Sequence, residues 1–250
     1  MTKPSPTAAV LIIGDEVLSG RTQDTNLNTI ARFLSALGID LLEARTVGDR
    51  KGQIVEALNA LRGAHDYVFT TGGIGPTHDD ITADAVASAL GVGLPEHPEA
   101  LAILERRYGD ELNAPRRRMA RIPESGSLIA NPVTDAPGFQ IGNVFVMAGV
   151  PKIMTAMLED VAPRLRKGAV VQARTVRVTG VGEGNIADIL TAAARAQRDI
   201  SFGSYPFGAG TAGEIGTNLV VRGRDAEAVD AAVVALLAEL EMAGIDAAVV

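Results

Sequence analysis

The sequence has 250 residues, of which 47% are hydrophobic and 21% are charged, with a formal net charge of −7 and no cysteine. Such a chain can bury a full core as one large domain, or as a domain of about 150 residues beside a smaller one. The acidic balance argues against nucleic-acid binding, and the lack of cysteine excludes disulfides, thiolate nucleophiles and cysteine-ligated zinc. The apolar run at 8–13 is too short to span a membrane. We therefore expect a cytoplasmic protein that binds neither nucleic acid nor membrane, with a loose tail at 1–7.

Apolar strands and amphipathic helices alternate along the first 91 residues. In chain order, the pattern predicts a strand at 8–13, a helix at 26–38, a strand at 40–47, a helix at 52–63, a strand at 66–71 and a helix at 81–91. The first strand is aliphatic throughout, which is typical of a strand buried on both faces of a parallel sheet. The sequence therefore predicts an α/β fold, a doubly wound, mostly parallel sheet in a three-layer sandwich with helices.

The next part of the chain is less regular. Its predicted elements are a helix at 98–109, a strand at 143–151 and a helix at 152–165. The stretch 113–139 is rich in proline, glycine and asparagine, which predicts long connections that cross the surface. The last helix closes a first domain at 1–167.

After residue 167 the order of elements changes, which predicts a second, smaller α+β domain at 168–250. It contains three predicted strands and two predicted helices, and a turn at 204–214 joins the second strand to the third. The predicted elements are a strand at 173–179, a helix at 185–198, strands at 200–205 and 214–222, and a helix at 226–243.

The loops that follow the predicted parallel strands are the candidate ligand site, because ligands of open α/β sheets bind beyond the carboxyl ends of the strands. Glycine in such loops lets a ligand approach the backbone closely. Asn26 precedes the first helix, and capping of that helix is an equally weighted alternative to substrate contact. The predicted substrate contacts outside the third loop are Gly14, Asn26, Gly149 and Pro151.

The third loop, "TTGGIGPTHDD" at 70–80, carries three glycines that allow positive φ, so that its N–H groups can face a phosphate. The spacing matches neither the Walker A loop nor the dinucleotide fingerprint. An alternative is a tight strand-to-helix turn in which Asp79 or Asp80 caps the helix. The predicted substrate contacts in this loop are Gly72, Gly73, Gly75, Pro76 and Thr77.

Carboxylates stand beside the predicted phosphate site, which is unfavourable unless a cation separates the charges. Mg²⁺ typically takes one or two carboxylates and completes its shell with water and phosphate oxygens. We therefore expect Asp49, Asp79 and Asp80 to hold a divalent metal, Mg²⁺, Mn²⁺ or Co²⁺. Asp49 taken alone is also typical of a turn residue. Asp15 and Glu16 are further carboxylates after the first strand.

A cluster of four arginines, Arg116, Arg117, Arg118 and Arg121, is the local basic patch of this acidic chain. A guanidinium group matches the geometry of phosphate, so the cluster could clamp a diphosphate, and we expect Arg117 to contact the substrate. A solvated face is the ordinary alternative, and we favour it for Arg116 and Arg118.

Taken together, these motifs resemble the MoaB/Mog molybdopterin-binding fold family. The segments that carry the resemblance are "TTGGIGPTHDDITADAVA", "IIGDEVLSGRTQDTN", "TVGD", "NPVTDAPGF", "AGVPKIM", "TGVGEGNIADIL" and "SYP". Within the family the chain looks like the N-terminal portion of CinA-type proteins. Asp49 and Asp80 match the functional aspartates of the pterin enzymes by motif, which implies that both are catalytic. Where pterin enzymes usually have Arg-Asp, this chain has Asp79 and Asp80, which favours metal binding.

The resemblance implies two alternative activities, and a function without catalysis is a third alternative. The first is a metal-dependent nucleotide pyrophosphatase that cleaves the diphosphate of ADP-ribose or FAD and releases AMP. The second is molybdopterin binding, or adenylyl transfer to molybdopterin from ATP with Mg²⁺, and the third is a non-catalytic nucleotide-binding module. Relatives form dimers or trimers, so we expect a homo-oligomer and favour a dimer. Because the chain lacks the amidohydrolase domain of longer CinA proteins, we do not expect it to deamidate nicotinamide nucleotides.

Overall fold

The computed structural model of the chain describes residues 4–208 and 215–250. The chain divides into two compact units, Met1–Gly168 and Ala169–Val250. Part of the predicted turn at 204–214, and residue 214 as the start of a strand, lie outside the described residues. Over the described ranges, none of the helices has both the length and the apolar content needed to cross a membrane.

A six-stranded sheet forms the centre of the first unit. The strand order is β2-β1-β3-β6-β5-β4, in which β2, β1, β3 and β6 are parallel and the last two strands are antiparallel. This arrangement confirms the predicted mostly parallel α/β sheet. The strands are β1 (Thr7–Ile13), β2 (Asp40–Val47), β3 (Tyr67–Thr71), β4 (Ser127–Ile129), β5 (Gly138–Ile141) and β6 (Val144–Met147).

Within the described part of the first unit, seven α-helices accompany this sheet: α1 (Asp15–Leu18), α2 (Asn26–Ala36), α3 (Lys51–Ala64), α4 (Thr82–Leu90), α5 (Pro98–Tyr108), α6 (Ala114–Arg117) and α7 (Pro151–Val161). Successive side chains of β1 point to opposite faces of the sheet. Leu11 on one face shares a core with Leu58 of α3 and Leu104 of α5. Val10 on the other face shares a core with Leu34 of α2 and Leu158 of α7. The sheet is therefore the middle of three layers.

The prediction of irregular surface connections at 113–139 was wrong in part. The short strand β4 pairs with β5, and β5 pairs with β6. In this ladder Phe139 lies opposite Val146, and the turn between β5 and β6 passes through Gly142 with φ 57°. Strands of three or four residues show too little periodicity to be recognised, and their pairing with β6 is what makes them strands.

The described residues of the second unit form an antiparallel sheet with two α-helices. Its strand order is β10-β7-β9-β8, and the chain order β-α-β-β-α-β is the ferredoxin-like arrangement. Side chains of β7, β9, α8 and α9 share one core, which includes Val178, Leu219 and Leu236. The short apolar end of the chain forms an additional strand. The elements are β7 (Gln172–Thr179), α8 (Ala187–Ala196), β8 (Ser201–Phe207), β9 (Gly216–Gly223), α9 (Ala226–Met242) and β10 (Ala247–Val249).

Replacing Gly138→Ala tests the antiparallel extension of the first sheet. A Cβ atom at this position would lie 2.3 Å from the carbonyl oxygen of Val146, which is backbone of the neighbouring strand. We expect the free energy of unfolding to fall by about 1–3 kcal/mol or more, because a packed backbone cannot move aside. The control is Gly63→Ala in α3, where a Cβ atom meets nothing within 4 Å and stability should rise by about 0.5–1 kcal/mol. Denaturant unfolding measures both changes, and equal effects would contradict the pairing of β5 with β6.

Candidate functional site

Three strand ends meet at Gly72, which follows β3. Its N–H donates to the carbonyl of Met147 at 3.2 Å, and its φ is 103°. A Cβ atom at Gly72 would lie 2.1 Å from the carbonyl oxygen of Ile13, and one at Gly149 would lie 3.2 Å from Cα of Gly72. The backbones that leave β1, β3 and β6 are therefore in direct contact, and glycine is required at Gly72 because no other residue fits this space and this φ.

Asn26 joins the loop after β1 to the loop after β6. Its side chain is only 4% exposed, and Nδ2 donates to the carbonyl of Gly149 at 2.7 Å. The buried Oδ1 has no hydrogen-bond partner among the described residues. The alternative prediction of a helix cap was wrong, because the carboxylate of Asp24 accepts from the N–H of Leu27 at 3.0 Å and fills that role. Asn26 instead holds two loops together.

The predicted contacts at Asn26, Gly149 and Pro151 are brought together by the fold. Together with Thr71, the last residue of β3, and several residues of the loop after β1, they line a cavity of about 50 Å³. Gly14 lies at the neighbouring side of the edge, where its N–H donates to the carbonyl of Val47 at 3.1 Å. The predicted contacts after β1 and β6 thus stand at one edge of the sheet.

The glycine loop presents a row of free amides. Thr82 anchors its start, because the Thr82 hydroxyl donates to the carbonyl of Gly72 at 2.9 Å and the Thr82 N–H donates to that of Gly73 at 3.0 Å. Among the described residues, the N–H groups of Gly73, Ile74 and Gly75 have no acceptor. Three successive amides are therefore available to a ligand at the carboxyl end of a parallel strand.

A tight turn at 77–80 gathers the two adjacent aspartates. The N–H of Thr77 donates to Oδ2 of Asp80 at 2.7 Å, and the Thr77 hydroxyl lies 2.5 Å from Oδ1 of Asp79 and 2.6 Å from Oδ2 of Asp80. The bond from this hydroxyl holds the pKa of Asp79 below its ordinary value, which favours the charged form. Neither aspartate caps α4, which begins at Thr82 without a side-chain cap. That alternative prediction was therefore wrong.

Asp49 connects the loops after β2 and β1. Its Oδ2 accepts from the N–H of Asp15 at 2.8 Å, at the start of the short helix α1. The Asp15 carboxylate packs over Gly48, where a Cβ atom would lie 2.2 Å from Oδ1 of Asp15. Asp15 also pairs with Arg50 at 3.5 Å. Asp15 is thus a carboxylate of this edge to which the sequence had assigned no role, since only the fold shows its contact with Asp49.

The residues that could hold a metal are single carboxylates. In the part of the chain that the structure describes, no group of three or more His, Asp or Glu side chains is arranged to hold a metal ion. Asp49 and Asp80 follow β2 and β3, and each uses Oδ2 alone in the hydrogen bonds of the described residues. One or two carboxylate oxygens suit a Mg²⁺ ion that keeps water and phosphate ligands. Asp79 and Asp80, which share the turn at Thr77, are the pair that could supply such oxygens, whereas Asp49 stands two strands away, after β2.

Two neighbouring arginines have different partners. Arg117 makes a bidentate ion pair with Glu96 at 2.6 and 2.7 Å, which lowers the pKa of Glu96. Arg118 instead reaches the glycine loop and donates to the carbonyls of Thr77 at 3.2 Å and Asp80 at 3.4 Å. The sequence favoured a solvated face for Arg118 and did not predict this contact. Adjacent arginines in a run carry no signal that tells which one faces a loop.

The fold and the loops at its edge define a three-layer α/β protein with a glycine loop and carboxylates at the carboxyl ends of its strands. Residues 9–167 match the protein family described as "Probable molybdopterin binding domain", and residues 171–249 match the family described as "FAD synthase, middle domain". Because the first match covers more than half of the sequence, the chain belongs to the molybdopterin-binding domain family. The resemblance seen in the sequence motifs is therefore confirmed.

Individual relatives support this membership. A CinA-like protein of Gemmatimonas aurantiaca is 35% identical over 245 residues, which cover 92% of this chain and 57% of that protein. A protein of Aeropyrum pernix is 37% identical over 230 residues, which cover 86% of this chain and 83% of that protein. The crystal structure of CinA from Thermoplasma acidophilum, described as of unknown function, aligns with a TM-score of 0.61 and 36% identity over 64% of this chain and 98% of that one. The chain spans about half the length of the CinA-like proteins that it matches.

The substitution Asn26→Asp tests the link between two loops. A carboxylate oxygen would replace the N–H that faces the carbonyl of Gly149, so two acceptors would oppose each other in a buried place. We expect the free energy of unfolding to fall by about 1–3 kcal/mol. The matched control is Asn113→Asp, which adds the same charge but keeps an acceptor for the N–H of Arg116. Denaturant unfolding at neutral pH compares the two variants, and equal stabilities would contradict the role of Asn26.

Proposed function

We propose that this chain is a nucleotide pyrophosphatase that requires a divalent cation, Mg²⁺, Mn²⁺ or Co²⁺, and hydrolyses the diphosphate of ADP-ribose or FAD to release AMP. The observation that carries the proposal is the row of N–H groups at Gly73, Ile74 and Gly75, which have no acceptor within 4–208 and 215–250. Successive backbone amides of this kind bind phosphate oxygens. Their place at the carboxyl end of β3 is where ligands of open α/β sheets bind.

The aspartates explain why the reaction needs a cation. Asp79 and Asp80 lie in the turn next to the amides, and their charge would repel a diphosphate that bound alone. Asp79 and Asp80 would hold the cation through carboxylate oxygens, and Asp49 stands at the same edge of the sheet, after β2. Bound there, a divalent cation supplies positive charge beside the phosphate oxygens and lowers the pKa of nearby water. The backbone amides would then bind the phosphate, and the carboxylates would bind the cation that is paired with it.

Hydrolysis adds one water molecule across the P–O–P bridge. The glycine amides hold the phosphate oxygens in place, so that the phosphorus faces the incoming water. The water oxygen forms a bond to the phosphorus of the AMP half, and the bond from that phosphorus to the bridging oxygen breaks. A carboxylate, which we assign to Asp80, accepts the proton that the water releases. The products are AMP and a second phosphate monoester.

The match of residues 171–249 to the middle domain of FAD synthase supports a flavin nucleotide as one of the two substrates. A second candidate function has an observation of its own, because residues 9–167 match the family described as "Probable molybdopterin binding domain". In that case the same amides would bind the phosphate of molybdopterin, and ATP with Mg²⁺ could supply an adenylyl group. A non-catalytic nucleotide-binding module would use the loop for binding alone.

The variant Asp80→Asn tests the assigned chemistry. The asparagine side chain has nearly the same size as the Asp80 side chain, and its oxygen can still accept from the N–H of Thr77. We therefore expect a folded protein. Because the amide neither accepts a proton nor carries charge, turnover should fall by about 100-fold or more. Chromatography of AMP measures this after incubation of full-length protein with ADP-ribose or FAD and each cation. Asp110→Asn, an exposed change outside the site, is the control and should keep the rate of the unaltered chain.

Two outcomes would count against the proposal. A normal rate for Asp80→Asn would remove Asp80 from the chemistry. Lack of AMP from either substrate with every cation, together with binding of molybdopterin, would favour the second function. In the expected case, a chelator abolishes release of AMP and added cation restores it.

A further inference from the structure

Arg118 connects the turn at 77–80 of the glycine loop to another segment of the first unit. Its guanidinium donates through Nη1 to the carbonyl of Thr77 at 3.2 Å and through Nη2 to the carbonyl of Asp80 at 3.4 Å. The turn at 77–80 has its own internal bonds between Thr77 and Asp80. Among the described residues, the hydrogen bonds that join this turn to another segment all come from Arg118.

The loop needs such an external partner because it is otherwise weakly held. The N–H groups at 73–75 have no acceptor among the described residues, and Pro76, Thr77 and Asp79 are exposed. Thr82 fixes the start of the loop at Gly72 and Gly73, but it does not reach the turn. Inside the loop, the Asp80 carboxylate packs over Gly75, where a Cβ atom would lie 2.7 Å from Oδ2, and hydrogen bonds from outside the loop hold the turn that carries this carboxylate.

The segment that carries Arg118 is itself anchored. Arg121 makes a bidentate ion pair with Asp84 of α4 at 3.0 and 2.7 Å, and Ala120 between the two arginines is fully buried. A cavity of only about 20 Å³ remains between this segment and the glycine loop, bordered by Gly75 and Asp80. Arg118 thus reaches the turn from a short segment tied to the helix that follows the loop.

We propose that Arg118 is a positioning residue that fixes the turn at 77–80, and through it the Asp80 carboxylate, relative to the free amides of Gly73, Ile74 and Gly75. This inference rests on the proposed function of the same loop. A guanidinium is suited to the task because its planar fork directs two N–H groups at two separate carbonyls. A lysine has one ammonium group, which cannot hold both carbonyls in the same geometry. Arg118 acts on the chemistry through the loop and not by contact with the reacting atoms.

The experiment compares the full-length chain with three variants. Arg118→Ala removes both hydrogen bonds. Arg118→Lys keeps the positive charge but lacks the planar guanidinium group that donates to two carbonyls at once. The matched control is Arg116→Ala, because Arg116 donates to Glu111 and does not touch the loop. Amide hydrogen exchange of the peptides that cover 72–82 is measured first, because it reports on the turn whether or not the protein is an enzyme.

We expect exchange in 72–82 to be at least about tenfold faster in Arg118→Ala, and the other peptides to stay unchanged. With ADP-ribose as substrate, kcat should fall by about tenfold to 100-fold, because a catalytic group moved by about 1 Å loses that much. The cation concentration for half-maximal activity should rise, while thermal stability stays close to that of the control. Arg118→Lys should recover little of kcat, and millimolar guanidinium added to Arg118→Ala should recover part of it.

The possible failures are distinguishable. If neither the unaltered chain nor any variant releases AMP, the proposed function fails. The hydrogen-exchange measurement alone then decides the role of Arg118. If the unaltered chain is active but Arg118→Ala keeps its exchange rates and kcat, the inference fails while the proposed function stands. Faster exchange throughout the chain in both Arg118 variants would assign Arg118 to general stability and would also overturn the inference.

Discussion

The close approach of backbones at Gly72 is the constraint on which the candidate site depends. The carbonyl of Ile13 leaves no space for a side chain there, and the φ of 103° strongly disfavours any residue except glycine. Because β1, β3 and β6 are parallel, their carboxyl ends reach the same edge, and this contact locks the three loops that leave them. Asn26 adds a buried hydrogen bond between two of the same loops. The edge is thus rigid where the strands end, and the glycine loop extends from that rigid base.

The second feature of the site is the combination of amides with carboxylates in one short segment. Free N–H groups favour an anion, while Asp79 and Asp80 disfavour it, and Thr77 draws both carboxylates into the turn beside the amides. Such an arrangement is costly for a bare phosphate and favourable for a phosphate that arrives with a divalent cation. The described residues hold no preformed group of three metal-binding side chains. Arg118 is compatible with this arrangement, because it holds the turn through the carbonyls of Thr77 and Asp80 and leaves the N–H groups at 73–75 free to bind a ligand.

Local patterns in the sequence predicted the parallel sheet and the glycine loop, while long-range contacts escaped them. The aliphatic run of β1 and the glycines at 72 and 73 are recognisable in the sequence, because burial on both faces and positive φ each restrict the residue type. The pairing of Asn26 with Gly149 joins residues 123 positions apart, so no spacing rule reaches it. The strands β4 and β5 were missed because each depends on its neighbour for hydrogen bonds. Arg117 and Arg118 cannot be told apart in the sequence. The fold shows that Arg117 pairs with Glu96 and that Arg118 donates to the glycine loop.

The measurement that tests the account most directly is nuclear magnetic resonance of the ¹⁵N-labelled chain during titration with a non-hydrolysable ADP-ribose analogue, in which a methylene group replaces the bridging oxygen. The account predicts that the amide signals of Gly73, Ile74 and Gly75 shift together when the analogue and Mg²⁺ are both present, and shift far less with either one alone. The signals of the second unit, for example Gly184, serve as internal reference. Binding of the analogue that leaves these three amides unchanged would contradict the claim that the glycine loop holds a diphosphate together with a cation.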